Sequence, residues 1–113
     1  MECVFCRIVA GEIPADIVFQ DSDLMAFRDI HPQAPVHILI IPKSHISSLN
    51  ELESRHGDIM GRLVLLATDL ARRENIAGRG YRLSVSCGQD GGQVVPHLHF
   101  HLIGGRKLRD ELG

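Results

Sequence analysis

His97-Leu98-His99-Phe100-His101-Leu102-Ile103 alternates imidazole with apolar side chains. Alternation with a period of two marks a β-strand with two unlike faces, so a strand is predicted over residues 97–103. Side chains on one face recur roughly every 6.6 Å. Three imidazoles therefore stand in a row, opposite a wholly apolar side that needs a core. The imidazole side needs polar partners, because a desolvated ring nitrogen without one is costly. Such a row suits a metal site, a polar sheet surface or a reaction centre, and alone it does not choose among them.

Just upstream lies Gly88-Gln89-Asp90-Gly91-Gly92. With no Cβ in the way, N–H groups of a Gly-Gly turn can approach an anion closely. A phosphate cradle beside a row of imidazoles points to phosphoryl or nucleotidyl transfer with a histidine nucleophile. Further out, residues 81–86 read as a strand. Residues 53–75 read as the one long helix, with Ile59, Leu63, Leu66 and Leu70 at intervals of three or four and Gly78-Arg79-Gly80 closing it. Residues 36–41 are almost continuously apolar and rich in β-branched side chains, which predicts a central strand buried on both faces and ended by Pro42. His37 lies inside it, either as a satisfied core histidine or as a partner to the imidazole row. Residues 17–20 and 24–29 form two more strands about an Asp21-Ser22-Asp23 turn. Phe5, Ile8 and Val9 mark a short helix stopped by Gly11 and Pro14. The expected fold is α+β: an antiparallel sheet of about five strands, with one long and one short helix packed on one side.

The 113 residues suit one domain, 1–113, and 44% apolar content excludes disorder. With 12 basic and 14 acidic residues and no basic stripe, a nucleic-acid partner is excluded. No apolar run is long enough to span a bilayer, and Met1-Glu2-Cys3 does not begin a signal peptide, so a cytoplasmic protein that binds no membrane is expected. The three cysteines fall as Cys3-Val4-Phe5-Cys6 plus a distant Cys87, a pattern that favours metal or redox chemistry over a disulfide framework. The C-x-x-C spacing lets two sulfurs reach one tetrahedral zinc, but two ligands do not make a site. Otherwise Cys3 and Cys6 are simply small buried residues.

Taken together, these stretches resemble the histidine triad (HIT) family. The likeness runs through Phe27-Arg28-Asp29-Ile30, Pro32-Gln33-Ala34-Pro35-Val36-His37, Ile41-Pro42-Lys43-Ser44-His45-Ile46, Gly91-Gly92-Gln93, the histidine row itself and Gly104-Gly105-Arg106, in the family's order. The Gly-Gly-Arg after the row resembles the Hint branch, the purine nucleoside phosphoramidases. This resemblance implies a HIT-like fold that pairs as a homodimer, and a purine nucleotide substrate such as AMP, GMP or their phosphoramidates. It implies that His99 is the nucleophile and that His101 contacts the α-phosphate. Gly92, Gln93 and the amide of Val94 match the phosphate loop. Asp29, beside Ile30, matches the ribose-binding carboxylate, and Phe5, Ile8 and Phe27 match the walls of the base pocket. In family members with an N-terminal Cys-x-x-Cys, the residues matching His45 and His97 complete a structural Zn2+ site with Cys3 and Cys6, so no catalytic metal is expected.

Two positions depart from the pattern. Val94 stands where many relatives carry Ser or Thr near the leaving group, and Ser86 where many carry Asn to reach ribose or phosphate. The expected reaction is attack by His99 on the α-phosphorus of AMP-NH2, an AMP-lysine type phosphoramidate or a related AMP-X compound, followed by hydrolysis of the nucleotidyl-histidine. Competing readings are a dinucleoside polyphosphate hydrolase or nucleotidyltransferase of the same superfamily, a nucleotide-binding regulatory module with little turnover, and a zinc enzyme ligated by all three histidines of the row.

Overall fold

A computed structural model describes residues 3–110 of the chain. Its organising element is β3 (Val36–Pro42), in which all seven residues are buried. A strand can be apolar throughout only if both faces are covered, and β3 sits at the centre of a five-stranded sheet. The other strands are β1 (Ile17–Gln20), β2 (Leu24–Arg28), β4 (Tyr81–Val85) and β5 (Phe100–Gly104), in the spatial order β1-β2-β3-β5-β4. Every pairing is antiparallel. This is the expected α+β architecture.

The two faces are covered by different helices. Val36, Ile38 and Ile40 join Leu24, Ala26 and Leu102 against Leu63, Leu66, Ala67, Leu70 and Ala71 of α2 (Gly57–Arg73). Each of the valine, leucine and isoleucine side chains, withdrawn from water, contributes roughly 2 kcal/mol. The alternate residues Met25, Phe27, Leu39 and Ile41 pack against Phe5 and Ile8 of α1 (Val4–Val9). The expectation that both helices share one side is therefore corrected. The long helix satisfies one face, and the short helix caps the other, which is the face that carries the imidazoles.

The long helix is also shorter than its apolar pattern suggested. The N–H of Glu53 donates to His56 Nδ1 at 2.8 Å, and residues Ser54–His56 form a 3-10 turn before α2 begins. At the other end Asn75 takes φ +61°, and the N–H of Ile76 closes onto the Ala71 carbonyl at 3.0 Å, so the helix stops before Gly78.

A second correction concerns the histidine row. β5 starts at Phe100, so His97, Leu98 and His99 all precede the ladder, and of the row only His101 lies in it. The N–H of His97 turns back to the Val95 carbonyl (2.8 Å), and that of Leu98 goes to the Ile46 carbonyl (2.6 Å). With those donors spent elsewhere, the chain before Phe100 departs from the strand path, and the His97 ring faces Cys3 and Cys6.

Candidate active site

On the α1 face of the sheet lies a cavity of about 550 Å³, within the range of small-molecule sites, roughly 300–1,000 Å³. α1 supplies Phe5 and Ile8, the end of β2 supplies Phe27, and Leu39 comes from β3. His99, His101, His37 and Asp29 form the polar side, and Ser86, Gly92 and Val94 also line the space. Ile30 and Val94 stand at the rim, 84% and 88% exposed. The residues proposed from sequence thus converge, with one exception. Gln93 is turned away: its side-chain NH2 donates to the carbonyls of Ser47 (2.7 Å) and Val95 (3.0 Å), and its Oε1 accepts from the N–H of Gly88 (2.9 Å). Gln93 thus braces the loop from within. Gly91 in that loop cannot carry a side chain, since a Cβ there would lie 2.4 Å from the Cys87 carbonyl oxygen.

The hydrogen-bond partners fix the tautomers. A carbonyl can only accept, so the 2.6 Å contact between His99 Nδ1 and the His97 carbonyl places the His99 proton on Nδ1. The lone pair of His99 Nε2 is left free. His37 Nδ1 accepts the N–H of Gln33 at 3.0 Å, so His37 carries its proton on Nε2 and donates to His101 Nδ1 at 2.9 Å. His101 therefore holds its own proton on Nε2. The His99 and His101 rings lie 5.1 Å apart. One presents a lone pair and the other an N–H, the complementary pair that attack on a phosphoryl group requires. Burial, reinforced by His99 and His37, pulls His101 down from the usual 6.5 to about 4. Burial also lowers His37, against the pull of Asp29. Both rings are neutral near pH 7.

His37 is thus both of the things its sequence position allowed, a satisfied buried histidine and a partner to the row. Asp29 likewise combines two roles. Its Oδ1 accepts the His31 N–H (2.8 Å) in a local turn, and its Oδ2 lies 3.4 Å from His37 Nε2. The support extends outward. Arg106 donates to the Gln33 carbonyl (2.7 Å from one terminal nitrogen, 3.3 Å from Nε), and the N–H of Gln33 holds His37. Gly105, at φ +96°, lies so close to Pro35 that a Cβ would sit 2.9 Å from that ring. The Gly-Gly-Arg motif therefore anchors the segment that orients His37, a link the sequence alone does not reveal.

Two groups among the described residues could hold a metal ion: Cys3, Cys6, His45 and His97, and Asp29, His37 and His101. The members of the second already bond one another and Gln33. In the first, Cys3 Sγ is 3.4 Å and Cys6 Sγ 3.6 Å from His97 Nδ1, and Cys6 Sγ is 3.2 Å from His45 Nδ1. The far nitrogens are occupied as ligand imidazoles require: His97 Nε2–H donates to the Pro42 carbonyl (2.8 Å), and His45 Nε2 faces Ser47 Oγ (3.5 Å). Two sulfurs and two imidazoles within 4.8 Å of one another fit tetrahedral zinc. In the ion-free chain, burial and neighbouring Cys3 push the Cys6 thiol up to about 11; a coordinated cation reverses this and deprotonates the thiol. His99 belongs to neither group, so the three histidines of the row do not converge on one ion.

A lone-pair imidazole and an N–H imidazole thus face a cavity of small-molecule size on a small α+β domain. Residues 10–108 match the HIT domain, and the chain belongs to the HIT family. Over 107 residues it is 49% identical to a purine nucleoside phosphoramidase of Escherichia coli (strain K12), covering 95% of this chain and 90% of that protein. The crystal structure of a HIT family hydrolase from Legionella pneumophila Philadelphia 1 superposes with a TM-score of 0.97 at 45% identity, over 99% of this chain and 100% of the other. A zinc-bound histidine triad family protein from Mycobacterium smegmatis has a TM-score of 0.81 at 30% identity, over 100% of this chain and 81% of its own.

Proposed function

We propose that the chain, acting as one domain over 1–113, hydrolyses purine nucleoside 5′-phosphoramidates or related AMP-X compounds through a nucleotidyl-His99 intermediate. The observation that carries this reading is the tautomer pair: His99 with Nε2 unprotonated beside His101 with Nε2 protonated. His99 Nε2 attacks the α-phosphorus. His101 Nε2–H, with the amide of Val94, takes up the charge on the phosphoryl oxygens, while the Gly92 N–H closes the loop onto the Gln89 carbonyl (3.1 Å). The P–N bond breaks, and the nitrogen leaves as a neutral amine once it has gained a proton. Solvent supplies that proton, and the water that later cleaves the nucleotidyl-histidine returns one, so His101 Nε2–H stays in place as a hydrogen-bond donor held by His37 at Nδ1. Water then attacks the nucleotidyl-His99 and regenerates the imidazole. The apolar wall of Phe5, Ile8 and Phe27 suits a purine, with Ile30 at its rim, while Asp29 and Ser86 suit the ribose. Release of a fluorogenic amine from an adenosine phosphoramidate tests this, and tight AMP binding without release would favour the regulatory-module reading. The absence of a Val94 hydroxyl is the observation that keeps that second reading. The 49% identity to a phosphoramidase favours the first over a dinucleoside polyphosphate hydrolase or nucleotidyltransferase.

Arg106→Ala should lower kcat/KM about tenfold with the fold intact, the scale expected when an outer partner of a working histidine is lost. A full-rate variant would remove Arg106 and Gln33 from the support of His37.

Cys3, Cys6, His45 and His97 are the residues that would hold zinc, in a closed Cys₂His₂ set that is structural. Protein purified without chelators should carry about one zinc per chain by elemental analysis, and zinc uptake should release protons as the thiols ionise. A metal-free preparation would refute the site.

A cytoplasmic homodimer completes the proposal. β4 is an edge of the sheet, and Tyr81 on it and Val64 and Leu65 on α2 are exposed apolar side chains that such pairing would cover. No helix among the described residues is long and apolar enough to cross a membrane, and Cys3, Cys6 and Cys87, none of them in a disulfide, fit a reducing compartment.

A further inference from the structure

We infer that the Cys3-Cys6-His45-His97 cluster is the positioning device of His99, because one residue, His97, joins the cluster through its ring and His99 through its carbonyl. This rests on the proposed reaction only in assigning His99 its task.

The His97 carbonyl is what holds the His99 proton on Nδ1 and frees Nε2. That carbonyl is on a residue outside β5, so no sheet ladder sets its position. Its own N–H is spent on a tight turn to Val95. What fixes His97 is the cluster on two sides: the Leu98 N–H of the same peptide plane bonds to the Ile46 carbonyl, next to His45, at 2.6 Å, and the fully buried ring has Nε2–H on the Pro42 carbonyl and Nδ1 facing Cys3 and Cys6. Release the Nδ1 end and the ring retains one hydrogen bond, about which it can swing. The carbonyl three bonds back from the ring then depends on the Leu98–Ile46 bond alone, and its aim at His99 loosens.

The same cluster holds the wall of the cavity. Cys3 caps α1, and its Sγ accepts the N–H of Cys6 at 3.4 Å, so both sulfurs flank the turn that carries Phe5. Phe5 meets the His97 ring edge-on at 5.9 Å and the His99 ring at 5.2 Å. Anchoring the sulfurs and His97 at one point therefore fixes His99 both from its Nδ1 side and from the ring packed against it. A site formally structural would act on the reaction by keeping one imidazole in one tautomer and one orientation.

The test uses the zinc-loaded protein, with zinc removed by a chelator and then restored. Ring-nitrogen NMR of His99 reads its tautomer without any turnover. In the loaded protein a single Nδ1-protonated form is expected. After removal the two ring nitrogens should move toward averaged shifts, and single-turnover nucleotidylation should slow roughly tenfold or more, with KM changing less than kcat and zinc restoring both readouts. If removal unfolds the chain, a cadmium-loaded sample replaces it. Its metal NMR signal should shift when AMP fills the cavity, because coupling between two sites is reciprocal. The proposal is overturned by His99 signals and a nucleotidylation rate within about twofold of the loaded values, or by a cadmium signal indifferent to bound AMP. A zinc-dependent His99 tautomer in a protein that never forms nucleotidyl-histidine would refute the proposed reaction while leaving this coupling standing.

Discussion

His99→Ala and His99→Asn should each lose phosphoramidate turnover by on the order of 10⁴-fold or more, the scale seen when a covalent nucleophile is removed, while AMP still binds. The two substitutions separate causes. Alanine opens a gap beside Phe5, whose ring is 5.2 Å from that of His99. Asparagine keeps polar bulk and can donate its amide N–H to the His97 carbonyl, but it offers no imidazole lone pair. A loss common to both therefore belongs to Nε2. Acid-quenched protein from a single turnover should carry labelled nucleotide on the wild-type chain and none on either variant. Turnover that survives both substitutions removes His99 from the mechanism, and the other neutral ring of the cavity, His101, becomes the group to test.

How far the sequence could be read depended on whether each feature is local. The continuous apolar run of β3 announced a strand covered on both sides, and period two announced that His99 and His101 share a face. Both signals lie within a few residues. The departure of His97 from the strand was hidden, because it is driven by a bond from Leu98 to Ile46, across 52 positions of sequence. The pairing of His37 with His101 was hidden for a related reason. It depends on the β3-β5 register, Leu39 opposite His101, which sets His37 diagonally across from that ring, and register cannot be read from either strand alone. α1 was placed on the wrong face because its six residues show an apolar side without saying which side of a doubly buried sheet receives it. That the Gln93 side chain holds the loop from within was hidden as well, because its partner at Ser47 lies 46 positions away.

Mild acid should destabilise the fold, chiefly through His101. In an unfolded chain histidine takes its proton near 6.5, whereas in the fold His101 stays neutral down to about 4. Between those values the unfolded state binds more protons, so stability rises with pH across that window. The contribution is fully present above 6.5 and is lost as pH falls toward 4. The fall from 6.5 to about 4 amounts to roughly 3.5 kcal/mol, a large share of an ordinary domain's stability of about 5–15 kcal/mol. His37, also lowered by burial, adds loss of the same sign. The carboxylates act further down: Glu74 is lowered by its bond to Arg28 and Asp21 by the N–H groups of Asp23 and Leu24, so each gives up its contribution only below the usual carboxylate range. Urea unfolding at pH 7 and pH 4.5 should therefore separate the imidazoles from the carboxylates. His101→Gln should be less stable than wild type at pH 7, and it should lose less on going to pH 4.5. Zinc bound near His97 contributes to both proteins alike and cancels in their difference. Equal stability of the wild-type chain at the two pH values would mean that His101 is protonated in the fold. Its Nδ1 could then no longer accept from His37, and the tautomers assigned to His37 and His101 would have to be revised.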